Sequence, residues 1–334
     1  MTKPHMNTPV ALLVFNRPDL TERVFAEVAR ARPSKLLVVA DGPRTEAERV
    51  LCERTRAVVS RVDWDCEVLT DFAETNMGCK RRVSTGISWV FEQAEEAIIL
   101  EDDCLPHPSF FRFCSELLER YRDDERVMMV SGDNFQLGRR RTPHSYYFSR
   151  HTHIWGWASW RRAWRHYDVG MEGWPGLREG PWLLDLHGDE AAARHWRDSF
   201  DHVHSGRLDT WDYQWAYACW SQNGLVVLPE VNLVTNIGWR ADATHTRSEE
   251  SVAAGLEALE MEFPLGHPPR MIREREADQF TFELLHRGEV AGGAGLYARL
   301  RGRLAAAVPP SVRRLLARRS ARAEVKGGPP ARPL

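Results

Sequence analysis

Short apolar runs, each ended by a turn or by charge, recur at residues 10–15, 36–40, 97–100 and 127–130, and 66–69 reads as a further strand. Runs of this length and composition read as strands buried on both faces of a parallel sheet. Stretches with helical spacing lie between them. Asp19 and Glu22 fit an N-cap and capping box, with Leu20, Val24 and Val28 on one face. A charged helix is expected over 46–59. Asn76-Met77-Gly78 turns into a helix that buries Val83, Ile87, Val90 and Phe91. Ser109 is placed to cap the next helix, with Phe110, Leu117, Leu118 and Tyr121 inward. This alternation predicts an α/β chain with a doubly wound, mostly parallel central sheet and helices on both faces. A length of 334 residues supports ample core.

The pattern changes after about residue 139, where loops lengthen and Trp, His, Arg and Gly become frequent. Short strands are expected at 225–228 and 232–235. The division read from this shift is a first half at 8–138, a second half of the same domain at 139–287, and a basic extension at 288–334. Many of the 13 tryptophans lie between Trp155 and Trp239, where they either pack a core or wall a pocket. The six cysteines show no CxxC and no zinc-like spacing, so they read as buried thiols of a reducing compartment. The N-terminus carries no apolar signal, and no stretch is long enough to span a bilayer. The expected location is therefore cytoplasmic, and nucleic acid is not an expected partner. The formal net charge of -2 hides a basic C-terminal segment, in which arginines such as Arg299, Arg303 and Arg314 interleave with Leu and Ala. Such a segment suits peripheral contact with an anionic membrane, or else a solvated tail.

Glu101-Asp102-Asp103 ends the run at 97–100. Three carboxylates at a strand end repel one another and become tolerable around a divalent cation. Open α/β sheets bind ligands outside the carboxyl ends of their strands, so the run suggests a metal site that holds a diphosphate. Asn16-Arg17 and Asp41-Gly42 follow the first two runs and fall on the same sheet edge. There they either bind base, ribose or phosphate, or simply make turns. Lys80-Arg81-Arg82 opens a helix and oppose its dipole, which makes sense beside a bound anion or in solvent. In Asp209-Thr210-Trp211-Asp212-Tyr213-Gln214-Trp215, a carboxylate between tryptophans suits a general base; the competing reading is a helix capped by Asp209. The loop that includes Thr244 and His245 could close over phosphates or complete a metal shell, although a lone His is more often structural.

Together these residues resemble nucleotide-sugar-dependent glycosyltransferases of the GT-A fold, bacterial family 2-like and more distantly N-acetylglucosaminyltransferase I. The resemblance runs from about Val10 to Thr246. It implies that Glu101-Asp102-Asp103 is the acidic metal motif, with Asp103 the direct ligand, Asp102 and His245 sharing the metal, and Glu101 and Asp102 meeting sugar, ribose or metal-bound water. It implies that Arg17 and Asp41 hold uracil and phosphate, that Trp155-Gly156-Trp157 lies at the acceptor side, and that Trp211-Asp212 carries the base, with Asp209 in reserve. The implied cofactor is Mn²⁺ or Mg²⁺, since all-oxygen ligation suits hard ions. The implied partners are a UDP-sugar, GlcNAc being the sugar suggested, and a glycan or lipid-linked acceptor. Lys80, Arg81 or His245 would add charge stabilisation, and direct displacement would invert the anomeric centre. The rival readings are a nucleotidyltransferase on a similar scaffold and a non-catalytic nucleotide-sugar-binding protein.

Overall fold

The structure is a computed structural model that describes residues 6–239 and 256–286. Thr244, His245 and the basic extension lie outside these residues. The elements run in the order β1 (Val10–Val14), α1 (Pro18–Ala31), β2 (Lys35–Ala40), α2 (Glu46–Val59), β3 (Glu67–Phe72), α3 (Cys79–Gln93), β4 (Glu96–Glu101), β5 (Cys104–Pro106), α4 (Pro108–Arg120) and β6 (Val127–Ser131). The second half adds β7 (Tyr146–Ser149), β8 (Trp157–Trp160), the short helices α5 (Arg161–Trp164), α6 (Trp174–Leu177) and α7 (Trp182–His187), then α8 (Glu190–His204), α9 (Asp212–Ser221), β9 (Leu225–Pro229), β10 (Val234–Asn236) and α10 (Arg275–Leu285).

Eight strands form one sheet in the order β3-β2-β1-β4-β8-β6-β9-β7. The pairs β1–β2, β1–β4, β2–β3 and β6–β9 are parallel, whereas β8 runs against β4 and β6, and β7 against β9. The fold is therefore mixed α/β with a mostly parallel central sheet flanked by helices, the Rossmann-like arrangement expected of a GT-A chain. A separate ribbon pairs β5 with β10. Strands of both halves interleave in the large sheet.

The β1 sequence is apolar throughout because both of its faces are covered. Ala11 and Leu13 join Leu37, Val39 and Ile99 beneath α3, α8 and α9. Val10, Leu12 and Val14 join Leu36, Val38 and Leu100 beneath α1 and α4. Each fully buried Leu or Val side chain contributes on the order of 1.5–3 kcal/mol relative to exposure, so these two layers hold the strand ends rigidly.

Two caps differ from expectation. Arg17, not Asp19, is the N-cap of α1, because Pro18 at the first helical position starts the helix earlier; Asp19 then lies in the first turn, where the dipole favours it. Likewise His107 caps α4, its Nδ1 accepting the Ser109 backbone N–H at 3.2 Å. The Ser109 hydroxyl instead accepts the Met261 N–H at 2.9 Å. Among the described residues no helix is long and apolar enough to cross a membrane. All six cysteines are free thiols, and Cys66 and Cys79 are only half-buried.

Candidate active site

The chain order places its own cleft. β1 leads to β2 and β3 on one side, whereas β4 returns to the other side of β1. The loops after β1 and β4 therefore diverge, and a crevice opens between their carboxyl ends. Arg17 follows β1, and Glu101-Asp102-Asp103 ends β4 and turns towards β5. Across the crevice, Arg17 Nη1 donates to Asp103 Oδ2 at 2.9 Å and lies 3.6 Å from Asp102 Oδ1. Asp102 Oδ2 also accepts the Phe15 backbone N–H at 3.4 Å.

The opposite wall is the N-terminus of α9. Asp212 is its first residue, where the helix dipole stabilises a carboxylate. The Thr210 hydroxyl donates to Asp212 Oδ1. Beneath it, the Trp211 ring stacks on Trp157 at 6.0 Å, and the Trp211 carbonyl accepts the Tyr167 hydroxyl at 3.1 Å. A cleft of about 350 Å³ is lined by Arg17, Glu101, Asp102, Asp103, Trp155 and Asp212, among others. The sequence elements that resembled a donor anchor and a base thus share one cavity.

Not every expected residue reaches it. Trp157 is 1% exposed and packs among Trp164, Trp211 and Trp215, so it supports the wall and cannot touch a substrate. Gly156 brings Trp155 to the cleft. Its φ of +79° suits glycine, and a Cβ there would lie 2.8 Å from Val234. The Asp41 carboxylate is taken up by Gly42 N–H at 2.8 Å, Met77 N–H at 2.9 Å and the Asn76 amide at 2.9 Å, which ties two strand-end loops together. Asn16 reaches Glu48 at 3.5 Å. Of the three cations opening α3, Arg82 is buried on Asp71 at 2.9 Å, Lys80 is half-buried and Arg81 is exposed; none lines the cleft. Asp209 is exposed and lies over the start of α3, its Oδ2 being 3.7 Å from where a Gly78 Cβ would stand. Of the two acids, Asp212 lines the cleft and Asp209 does not.

Burial, then the neighbouring carboxylates, pushes Glu101 up to about 8 and Asp102 up to about 7, with Arg17 opposing both shifts. Burial, and after it the charges of Glu101, Asp212 and Asp209, pushes the Cys79 thiol up to about 12. Among the described residues no three His, Cys, Asp or Glu side chains converge as a complete metal cage. The set fits the other common arrangement, in which one or two carboxylates hold a hard cation jointly with substrate phosphates.

A scan against models of known protein families finds no match, and a search of curated proteins finds none either. Among solved structures, the chain is similar to galactosyltransferase LgtC in complex with donor and acceptor sugar analogues, at 12% identity and a TM-score of 0.31, over 52% of this chain and 66% of that one. It is also similar to UDP-glucose pyrophosphorylase complexed with UDP-glucose, at 14% identity and a TM-score of 0.25, over 43% of this chain and 62% of that one. The chain spans just under two-thirds of the length of each. What the cleft can do rests on its own groups.

Gly238 packs closely against Asp103. Its N–H donates to Asn236 Oδ1 at 2.8 Å, and the Ile237 N–H donates to the Asp103 carbonyl at 2.8 Å. A Cβ on Gly238 would meet the Asp103 carboxylate, with Cγ only 2.7 Å away. Overpacking of this kind costs about 1–3 kcal/mol. Gly238→Ala should therefore fold but with a Tm lowered by a few degrees, as thermal unfolding would measure. An unchanged Tm would mean that the Asp103 side chain gives way freely.

Proposed function

We propose that the chain is a metal-dependent, inverting glycosyltransferase that moves a sugar from a nucleotide diphosphate donor to a hydroxyl acceptor. The observation that carries this reading is the juxtaposition, in one cleft, of the β4 acids, Arg17 at the β1 end and Asp212 on the facing helix. The resemblance adds a UDP-sugar, GlcNAc the sugar it suggests, and a glycan or lipid-linked acceptor. The arginine-rich segment beyond residue 296, by its composition, suits peripheral contact with an anionic membrane or else a solvated tail.

In this reading Asp103 and Asp102 would hold Mn²⁺ or Mg²⁺, and His245 would be a further ligand by resemblance alone. The bound ion supplies neutralisation of the charge that grows on the departing diphosphate. Arg17 is placed to add to that neutralisation once the donor diphosphate competes with Asp103 for its guanidinium. Trp155 and Trp211 exclude water from the reacting centre. Asp212 accepts the proton as the acceptor O–H breaks. The acceptor oxygen bonds to the anomeric carbon while the bond to the diphosphate breaks, which inverts that centre.

Thermal shift tests the reading, because a ligand that binds only the native state raises its melting temperature. Saturating UDP-sugar with Mn²⁺ should raise the Tm by several degrees, at ~2–4 °C per kcal/mol. The effect should depend on pH. Glu101 and Asp102 titrate near 8 and 7 in the folded protein, above their ordinary 4.5 and 3.8, so the folded state binds more protons than the unfolded chain between these values. Stability of the free protein should therefore fall as pH rises through that window. A cation must displace those protons, so the Tm gain should be larger at pH 8 than at pH 6. No gain with any nucleotide sugar would defeat the proposal.

A further inference from the structure

The two edges of the large sheet are finished differently. β7 is covered: its Phe148 bridges to Arg273, and the Phe148 carbonyl accepts the Glu274 N–H at 2.7 Å. β3 forms the other edge, and among the described residues no strand or bridge lies on its outer side. Natural sheets blunt an open edge with Lys, Pro, a bulge or a very short strand. Glu67-Val68-Leu69-Thr70-Asp71-Phe72 has none of these and keeps an unbroken parallel register with β2. Its two acids are already matched, Glu67 by Lys35 at 3.3 Å and Asp71 by Arg82 at 2.9 Å. Helix α2 does not screen the strand, because Val68 and Phe72 are each 38% exposed.

The register shows which backbone groups this edge presents. The Glu67 N–H donates to the Ser34 carbonyl at 2.8 Å, and the Ala73 N–H to the Ala40 carbonyl at 2.9 Å. The odd-numbered residues therefore turn their backbone groups towards β2, and Val68, Thr70 and Phe72 turn theirs outward. An antiparallel copy of the strand centred on Thr70 sets Thr70 opposite Thr70 and Val68 opposite Phe72. Each of these is then a hydrogen-bonded pair, in which two outward residues exchange N–H and C=O. The side chains agree. Aromatic opposite β-branched and Thr opposite Thr are stabilising cross-strand pairs. On the other face Leu69 falls opposite Asp71, so no two like charges stand directly opposed.

We infer that β3 is a self-association surface, at which two copies of the chain join edge to edge about a two-fold axis at Thr70 and continue the sheet across the interface. The occupant is a second copy because the strand is complementary to itself, as an isologous contact requires. The register is specified too. Centring the pair on Leu69 leaves Phe72 without a partner inside the strand, and centring it on Asp71 does the same to Val68 and sets two aspartates face to face. Centring it between residues sets outward groups against inward ones. No β3 residue lines the cleft, so this claim stands apart from the glycosyl-transfer reading.

Sedimentation velocity on the full chain tests the inference. The sedimentation coefficient should rise with concentration through the micromolar range to that of a dimer. Thr70→Pro removes the outward N–H at the two-fold and breaks no bond to β2, a position where an edge strand tolerates proline. Thr70→Lys, at an exposed position, sets two like charges directly opposite each other. Each should weaken association about tenfold or more, with the near-ultraviolet circular dichroism of the parent; Thr70→Lys serves if Thr70→Pro does not fold. Cross-linking by oxidised glutathione reads the register. Thr70→Cys faces its own copy and should form a disulfide-linked dimer beyond any that the parent's thiols form. Val68→Cys should not, since its counterpart lies roughly 13 Å along the partner strand, outside disulfide reach. The inference is overturned if the chain stays monomeric, if folded Thr70→Lys associates like the parent, or if Val68→Cys cross-links as readily as Thr70→Cys.

Discussion

Asp212→Asn should lower sugar transfer by about 10²–10⁴-fold, the usual contribution of a positioned general base, while leaving the Tm gain from UDP-sugar and Mn²⁺ within a degree or so of the parent. The substitution keeps the side-chain shape at the start of α9 and an oxygen for the Thr210 hydroxyl, but removes the basicity. Asp209→Asn is the internal control. Asp209 is exposed and does not line the cleft, so its loss should change the rate less than about threefold, well under the factor of ten that 1.36 kcal/mol represents. Initial-rate assays with matched donor concentration decide between them. A large loss at Asp209 with a small one at Asp212 would reverse the assignment.

Asp103→Asn should abolish the metal dependence. Cation neutralisation of a departing diphosphate is worth several kcal/mol, and three of these correspond to roughly a 10²-fold loss in donor hydrolysis. Chelation by EDTA should cost the parent enzyme about the same factor and cost the variant almost nothing more, since both remove one interaction. Arg17 makes the outcome informative, because Asp103 is its 2.9 Å partner. If Asp103 served only to anchor Arg17, the variant would lose stability yet keep its response to Mn²⁺.

Much of this was legible in the sequence for a specific physical reason. The runs at β1, β2, β4 and β6 are apolar on both faces, and the polar residue after each run marks the strand end. Applied to Phe15-Asn16-Arg17, Ala40-Asp41 and Leu100-Glu101, that rule located the cleft edge. β7 and β8 were not legible. Each has only four residues, all buried, so neither shows alternation, and the Trp-rich composition around β8 reads equally as pocket or core. Trp157 shows the cost of that ambiguity: it was expected at a substrate and lies in the core. Asp41 shows another. Its residue type and position suit a ligand contact, yet the loop carrying Asn76 and Met77 comes from far along the chain and claims the carboxylate first. Short-range pattern cannot foresee such a long-range partner.

The place of β8 has a consequence for anyone who would re-engineer the chain. It belongs to the second half by sequence, yet it lies in the middle of the sheet between β4, which carries the acids, and β6. Cutting at residue 138 would therefore not release two modules. It would leave β4 and β6 with bare edges facing a missing neighbour, the kind of surface that recruits foreign strands. Neither half is a cassette that can be swapped. The cleft has to be altered by substitution around a strand that both halves share.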